Sequence, residues 1–523
     1  MTGPLATLPC ELPSFRQAFL RCFVLPPSAD VTDLQQSKES TRALLFNQTS
    51  SEALSCLLNP THIPSTMTVV DPTITGFTIR DLRFPTSLDA VGSDPMNTAG
   101  ENAHGYMVYH TDSGLEGIGW SFSNGQGNEV LCTAIKALAP RFVGRKLSSI
   151  TENFAVTHRN FLGGQTRFMS PERGVMQLAS NAVLNAIWDL WAKVAGKPLW
   201  KLVADMTPEE IIRVIDFRYI TDVLTPAEAL TMLREQAKTK AERIQLALDN
   251  KAVPGYNTSV GWLGLSDAEV EAGLKKAVDE GFRHFKLKVG LGYDVDRKRL
   301  GMVRKIAGPD AVIYTDVNQL WDVDQAIEYM PHLADLKIEF IEEPTSPDDI
   351  LGHAKIRKAL KPHGIGVATG EHVNNAVMFK QLLQAEAIDA VQLDALRLSG
   401  MNEILKVCLM AAKFGVPIIP HSGGTGMPEL CNHISHIDFC VISGKKSILE
   451  YTDHCHEYFT DPAEFGNGYY HAPTAPGYSC QITDEAFSKF ECPQGSFWKS
   501  EKGQLMLNDP WRGCAAEQTS PMK

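Results

Sequence analysis

Three carboxylates, Asp316, Glu342 and Glu371, each close a short run rich in β-branched, aromatic or small apolar residues (312–315, 337–341 and 365–370). Such runs read as strands, and Pro344 stops the second because it cannot donate to a sheet ladder. On its own the pair Glu342-Glu343 reads as a solvated strand exit, with alternation sending the two side chains to opposite faces. Three carboxylates converging on one axis read differently. They repel and raise one another's pKa unless a cation joins them. Hard oxygen ligands with room left for a substrate suit Mg²⁺, whereas no EF-hand loop favours calcium and no His or Cys among the three favours zinc.

Two basic devices flank this trio. Lys286 and Lys288 lie two residues apart and share one strand face, so near a divalent cation each lowers the other's pKa and one can serve as a neutral base. Asp394 and His421 close two further runs, and an Asp–His pair fixes the imidazole tautomer and raises its basicity. A base, a second acid/base and a metal between them can remove a proton α to a carboxylate and stabilise the resulting enediolate.

The elements that must hold these groups follow from their spacing. Lys288, Asp316, Glu342, Glu371, Asp394, His421 and Glu450 succeed one another at intervals of 23 to 29 residues, each long enough for one strand and one amphipathic helix. Polar residues at the C-terminal ends of successive parallel strands are how a (β/α)8 barrel builds a site on its top face. The predicted fold class is therefore α/β, a TIM-like barrel with an α+β capping domain formed by the N-terminal part and a C-terminal segment.

The remaining chain is consistent with this. Its 523 residues, 44% hydrophobic and 21% charged, describe a globular protein of more than one domain. A net charge of −12 without any basic block excludes nucleic acid as an expected partner, and no apolar run is long enough for a membrane span. The 11 cysteines are odd in number and scattered, as for reduced thiols inside a cell, with the cytoplasm favoured over the mitochondrion. Residues 1–66 carry frequent Pro, Ser, Thr and Gln without apolar periodicity and too many acids for a transit peptide, so they are expected to be a disordered extension.

Residues 67–207 form the expected cap. It has strands near 74–84, 106–110 and 117–120, a turn at 112–114, and helices over 127–138 and 174–195. A polar loop at 91–94 is placed to lie over a site. The barrel is expected over 208–452, with strand 1 at 213–217 and an irregular insertion at 254–259 delaying strand 2 to 282–289. Residues 453–508 are expected to pack back on the cap, and 509–523 to be a disordered tail.

These motifs resemble the enolase superfamily, specifically its mandelate racemase subgroup. Ala186 to Lys193 with Gly196-Lys197-Pro198-Leu199-Trp200 is similar to that subgroup's capping helix. The stretches 79–88, 216–225 and 342–353, with His421-Ser422-Gly423-Gly424 and Glu450-Tyr451, look like those of the L-fuconate dehydratases within it. The extra first 66 residues and the loop after Asp94 depart from the pattern. The resemblance implies that Lys288 is the base, that Lys286 touches the substrate carboxylate, and that Asp316, Glu342 and Glu371 hold Mg²⁺. It implies His421, backed by Asp394, as the second acid/base. Gly92, Ser93, Asp94, Asn318, Ser422, Gly423 and Glu450 would contact a sugar acid, together with Lys286, Glu342 and Glu371.

The activity so implied is dehydration of a six-carbon acid sugar, L-fuconate to its 2-keto-3-deoxy acid, in a chain that could also self-associate as a homo-oligomer. Dehydration or racemisation of another aldonate uses the same parts. A catalytically idle barrel serving as a binding protein is the reading from another class, and the presence of every reactive group counts against it. A serine hydrolase is excluded because no Gly-x-Ser-x-Gly elbow occurs.

Overall fold

The computed structural model describes residues 70–169 and 172–509. The expected extension at 1–66 and the tail beyond Asp509 lie outside the described residues. Among the described residues no helix is long and apolar enough to cross a membrane.

The capping sheet is an antiparallel meander of β1 (Ile74–Phe84), β2 (Asn102–Thr111) and β3 (Glu116–Ser123). The β2–β3 connection turns at Asp112-Ser113-Gly114, where Gly114 takes φ 81°. The helix Gly174–Val194 lies against β3 and is buried on nearly every side, because the barrel covers its other face. Asn181 Nδ2 donates to the carbonyls of Ala395 (2.8 Å) and Leu398 (2.6 Å), and Trp188 Nε1 donates to Asn402 Oδ1 at 2.8 Å. Trp191, expected on the buried face, is only partly covered.

Sheet and helix approach closely because β3 offers glycine where they meet. A Cβ on Gly119 would sit 2.1 Å from the carbonyl oxygen of Ala182, and one on Gly117 2.4 Å from that of Ala186.

The barrel comprises β4 (Val253–Asn257), β5 (His284–Lys288), β6 (Val312–Asp316), β7 (Ile338–Glu342), β8 (Gly366–Thr369), β9 (Ala390–Val391), a seventh extended run, and β10 (Leu449–Tyr451). The seventh run joins β9 through parallel bridges at Val391/Ile418 and Asp394/His421. β10 pairs with β4 in parallel and closes the ring. Side chains two residues below the strand ends fill the interior: Tyr314 below Asp316, Phe340 below Glu342, Ile419 below His421 and Ile448 below Glu450, with Tyr256. This apolar plug is the floor on which the polar groups stand.

The first strand is not where the sequence placed it. Residues 208–214 are helix, started by a capping box between Thr207 and Glu210 with Pro208 at the first position, and Ile215 and Phe217 are simply core residues after it. The run 254–259, read as an irregular insertion, overlaps most of β4. Its Pro254 faces a short antiparallel hairpin, β11 (Phe465–Gly466) with β12 (Tyr469–Tyr470), rather than a barrel strand. Its Gly255 is required because a Cβ there would meet the Phe465 ring at 2.4 Å.

The C-terminal segment returns to the cap. Cys492 N donates to Asp81 O at 2.8 Å, Arg80 pairs with Glu491 at 2.6 Å, and Trp498 Nε1 donates to Arg83 O at 3.1 Å.

Gly119→Ala should push β3 off the helix and cost about 1–3 kcal/mol in urea unfolding. Gly76→Ala, in open space within the same sheet, should change little. Equal stability of both variants would show that the sheet–helix contact yields freely.

Candidate active site

Strand register brings the reactive groups together. Lys288 is opposite Asp316 across β5–β6, and Asp316 is opposite Glu342 across β6–β7. Lys288 Nζ lies 2.5 Å from Asp316 Oδ2. Lys286 Nζ sits one layer lower, 2.8 Å from Glu342 Oε2, 2.7 Å from Glu450 Oε1 and 3.6 Å from Asp316 Oδ2. Asp316, Glu342 and Glu371 are all buried, and each offers one oxygen within 4.8 Å of the other two.

This trio fits a hard divalent cation. All the donors are carboxylate oxygens, and Glu342 Oε1 is buried without a hydrogen-bond partner among the described residues. Burial, and then the Asp316 charge, push Glu342 up to about 8, as expected of crowded carboxylates short of positive charge.

The charge on the two lysines is set first by the carboxylates around them. Burial pulls Lys286 down, but Glu342 and Glu450 outweigh it and hold the ammonium well above its usual range. Burial also opposes the charge on Lys288, and Asp316 more than offsets it. Repulsion between the two ammonium groups is therefore smaller than the attraction of Asp316 for Lys288. A cation would compete for those same oxygens and remove that support.

Across the trio, His421 Nδ1 is 3.0 Å from Asp394 Oδ2, and its Nε2 is 3.2 Å from Glu371 Oε2. Asp394 is itself held by Leu396 N, which donates to Oδ1 at 2.7 Å. Burial disfavours imidazolium, but Glu371 and then Asp394 raise His421 to about 9.

Above these groups lies a cavity of about 190 Å³ between barrel and cap. Lys288, Asn318, Glu371, His421, Gly423 and Glu450 line its barrel side, and Gly92, Asp94, Met96, Asn97, Asn102 and Phe122 its cap side. Asp94 Oδ1 accepts from Met96 N and Asn97 N at 2.7 Å each, and burial raises this carboxyl to about 6 against the pull of Lys288.

Lys286, Asp316 and Glu342 form the floor beneath, and Asp394 stands behind His421. Ser93 and Ser422 differ from the expected contacts. The Ser93 hydroxyl donates to Ala90 O and accepts from Gly264 N, so it ties the loop down. Ser422 contributes its backbone N–H to Glu450 Oε2 at 2.8 Å, while its hydroxyl is buried.

Several site residues escape sequence reasoning. Asn102, at the start of β2, accepts from Thr425 N at 2.8 Å and from Thr425 Oγ1 at 2.9 Å, and His104 Nε2 donates to Thr425 O at 2.9 Å. The cap thus grips the loop that carries His421, through side chains with no periodic signal. Glu343 is fully buried where a solvated or turned-away side chain is expected, and it meets His372 at 2.9 Å. The adjacent pairs Glu342-Glu343 and Glu371-His372 were the available clue.

Comparison with known proteins agrees with this architecture. Residues 94–204 match the mandelate racemase / muconate lactonizing enzyme N-terminal domain, and residues 269–486 match the enolase C-terminal domain-like family. The chain is 53% identical over 442 residues to an L-galactonate dehydratase of Hypocrea jecorina, covering 83% of this chain and 98% of that one. It is 46% identical over 431 residues to mitochondrial enolase superfamily member 1 of Xenopus laevis, covering 82% and 97%. The crystal structure of the human protein of that name superposes with a TM-score of 0.81 at 43% identity, over 84% of this chain and 100% of that one. An L-talarate/galactarate dehydratase from Salmonella typhimurium, liganded with Mg and L-lyxarohydroxamate, shares the fold at 23% identity and a TM-score of 0.62, over 82% and 95%. The chain belongs to the mandelate racemase / muconate lactonizing enzyme family of the enolase superfamily.

Proposed function

We propose that the protein is a Mg²⁺-dependent dehydratase of a six-carbon acid sugar. The observation that carries this reading is the placement of Lys288 and the Asp394–His421 pair on opposite sides of the buried Asp316, Glu342 and Glu371 carboxylates. A divalent cation held by those three would withdraw charge from the substrate carboxylate and so make its α-proton removable.

The chain's own groups do the rest. Lys286, fixed between Glu342 and Glu450, offers its ammonium to the substrate carboxylate from below. Lys288 takes the C2 proton. His421, steadied by Asp394, hands a proton to the departing 3-hydroxyl, and water leaves. The enol that remains becomes the 2-keto-3-deoxy acid on protonation at C3. The cap closes over the cavity and limits bulk water there.

For the substrate we favour L-galactonate, the acid named for the relative at 53% identity. L-fuconate, to which the sequence stretches point, is the same acid without its 6-hydroxyl. A substrate whose carboxylate lies at the barrel floor extends toward the cap, where Asn97, Asn102 and Asn124 line the wall. That wall suits a hydroxylated end better than a methyl. A panel of acid sugars with Mg²⁺ should give kcat/KM at least about 10-fold higher for L-galactonate than for L-fuconate, the scale of one buried hydrogen bond. The reverse order would select L-fuconate, and turnover of neither would exclude both substrates.

Dialysis against EDTA should abolish turnover and Mg²⁺ should restore it. Glu342→Gln should weaken Mg²⁺ binding in calorimetry. Unchanged affinity in that variant would remove Glu342 from the metal site.

Lys288 and His421 should fail differently. Lys288→Ala should stop both dehydration and exchange of the C2 proton with solvent deuterium. His421→Asn should lower dehydration by more than about 10²-fold, yet leave some C2 exchange because the base survives. Deuterium in recovered substrate, read by NMR, distinguishes them. Exchange that persists in Lys288→Ala and vanishes in His421→Asn would reverse the two roles.

A further inference from the structure

Beside the acidic trio lies a second row of polar groups with no part in the proton transfers above, and two of them, Gln319 and His372, also line the cavity. His372 Nδ1 lies 2.9 Å from Glu343 Oε1 and 3.1 Å from Glu371 Oε1. The two carboxylate oxygens favour a proton on Nδ1, and Gln319 Nε2 stands 2.8 Å from the same ring nitrogen. Gln319 Nε2 donates to the other oxygen of Glu343, Oε2, at 2.8 Å. Gln319, Glu343 and His372 therefore form one mutually contacting cluster, and through His372 it reaches Glu371, a carboxylate of the acidic trio.

The backbone is bent to build this row. Asn318, Gln319 and Glu343 take φ values of 45°, 68° and 44°, the left-handed region that non-glycine residues enter at a cost. Gln319 N donates to Glu343 O at 2.8 Å, which locks the two turns together. The turn at Glu343 explains why a residue adjacent to Glu342 is not simply carried to the opposite face. A fully buried carboxylate is also expensive, and an apolar side chain would fill the space at lower cost. Strain and buried charge at the same residue, with the partners converging on Glu371, indicate a task there.

We propose that Gln319, Glu343 and His372 are positioning residues that hold the Glu371 carboxylate in the orientation that binds the cation. His372 restrains Oε1 through its Nδ1 proton, Glu343 anchors the ring from behind, and Gln319 fixes Glu343. Oε2 is left facing the site, beside His421 Nε2 at 3.2 Å. Outer partners of this kind orient the ligands themselves, and removing one weakens metal affinity. The inference rests on the metal reading given above and deepens it.

The test is Mg²⁺ calorimetry on EDTA-stripped full-length protein, with the melting temperature of each metal-free variant measured alongside. His372→Leu should weaken Mg²⁺ binding by about 10- to 100-fold while the metal-free protein melts near the wild-type temperature. His372→Asn places an amide N–H close to where Nδ1 stood. It should recover affinity to within about threefold of wild type, which a packing role alone would not produce. Wild-type affinity in His372→Leu, or equal weakness of the Leu and Asn variants, would overturn the proposal. If His372→Leu does not fold, Glu343→Gln decides instead. Weakening of about 10-fold supports the relay, and unchanged affinity refutes it. Failure of the wild-type protein to bind Mg²⁺ is a separate outcome, which would remove the metal reading and the relay with it.

Discussion

Five buried carboxylates, Asp316, Glu342, Glu371, Asp394 and Glu450, share the mouth of the barrel, and their mutual repulsion is the constraint to which the structure answers. Groups of one sign taken out of water must be compensated nearby or become protonated. Lys286 is wedged between Glu342 and Glu450, Lys288 meets Asp316, and His421 spans Asp394 and Glu371. The compensation is incomplete, since Glu342 is driven upward and one of its oxygens has no partner among the described residues. The residual demand for positive charge and the chemistry assigned to the site have the same origin.

Holding such a cluster requires rigid support from several directions. Below it, Tyr256, Tyr314, Phe340, Ile419 and Ile448 pack the barrel interior under the strand ends. Register does the lateral work, because parallel pairing sets Lys288, Asp316 and Glu342 side by side without any loop having to place them. Above, the helix Gly174–Val194 is pressed between the capping sheet and the barrel and fixes where the cap can sit.

The sequence discloses this arrangement unevenly, for physical reasons. Lys288, Asp316, Glu342, Glu371, Asp394, His421 and Glu450 are legible because each ends a repeating unit, and a period survives even where single strands are weak. The first strand is obscured by Pro254 and Gly255, residues that argue against a strand until the hairpin packing on it is known. The apolar run at 213–217 imitates a strand, although Thr207-Pro208-Glu209-Glu210 announces a helix just before it. Glu343 is misplaced because alternation assumes extended backbone, and the chain leaves that region at this residue. Asn102 and His104 carry no local signature at all. Their role comes from Thr425, more than 300 positions away in the chain.

That last contact links two kinds of change during divergence. On the proposed reading, residues of the cap wall would select the sugar, whereas the loop after His421 neighbours the imidazole. Asn102 belongs to both, as it faces the cavity and clasps Thr425 in one amide group. A lineage that replaced Asn102 to admit a new substrate would loosen the Thr425 contact in the same step. Substitutions in the two regions are then coupled rather than additive. New specificities on this scaffold are most accessible to lineages that change cap and loop as a pair.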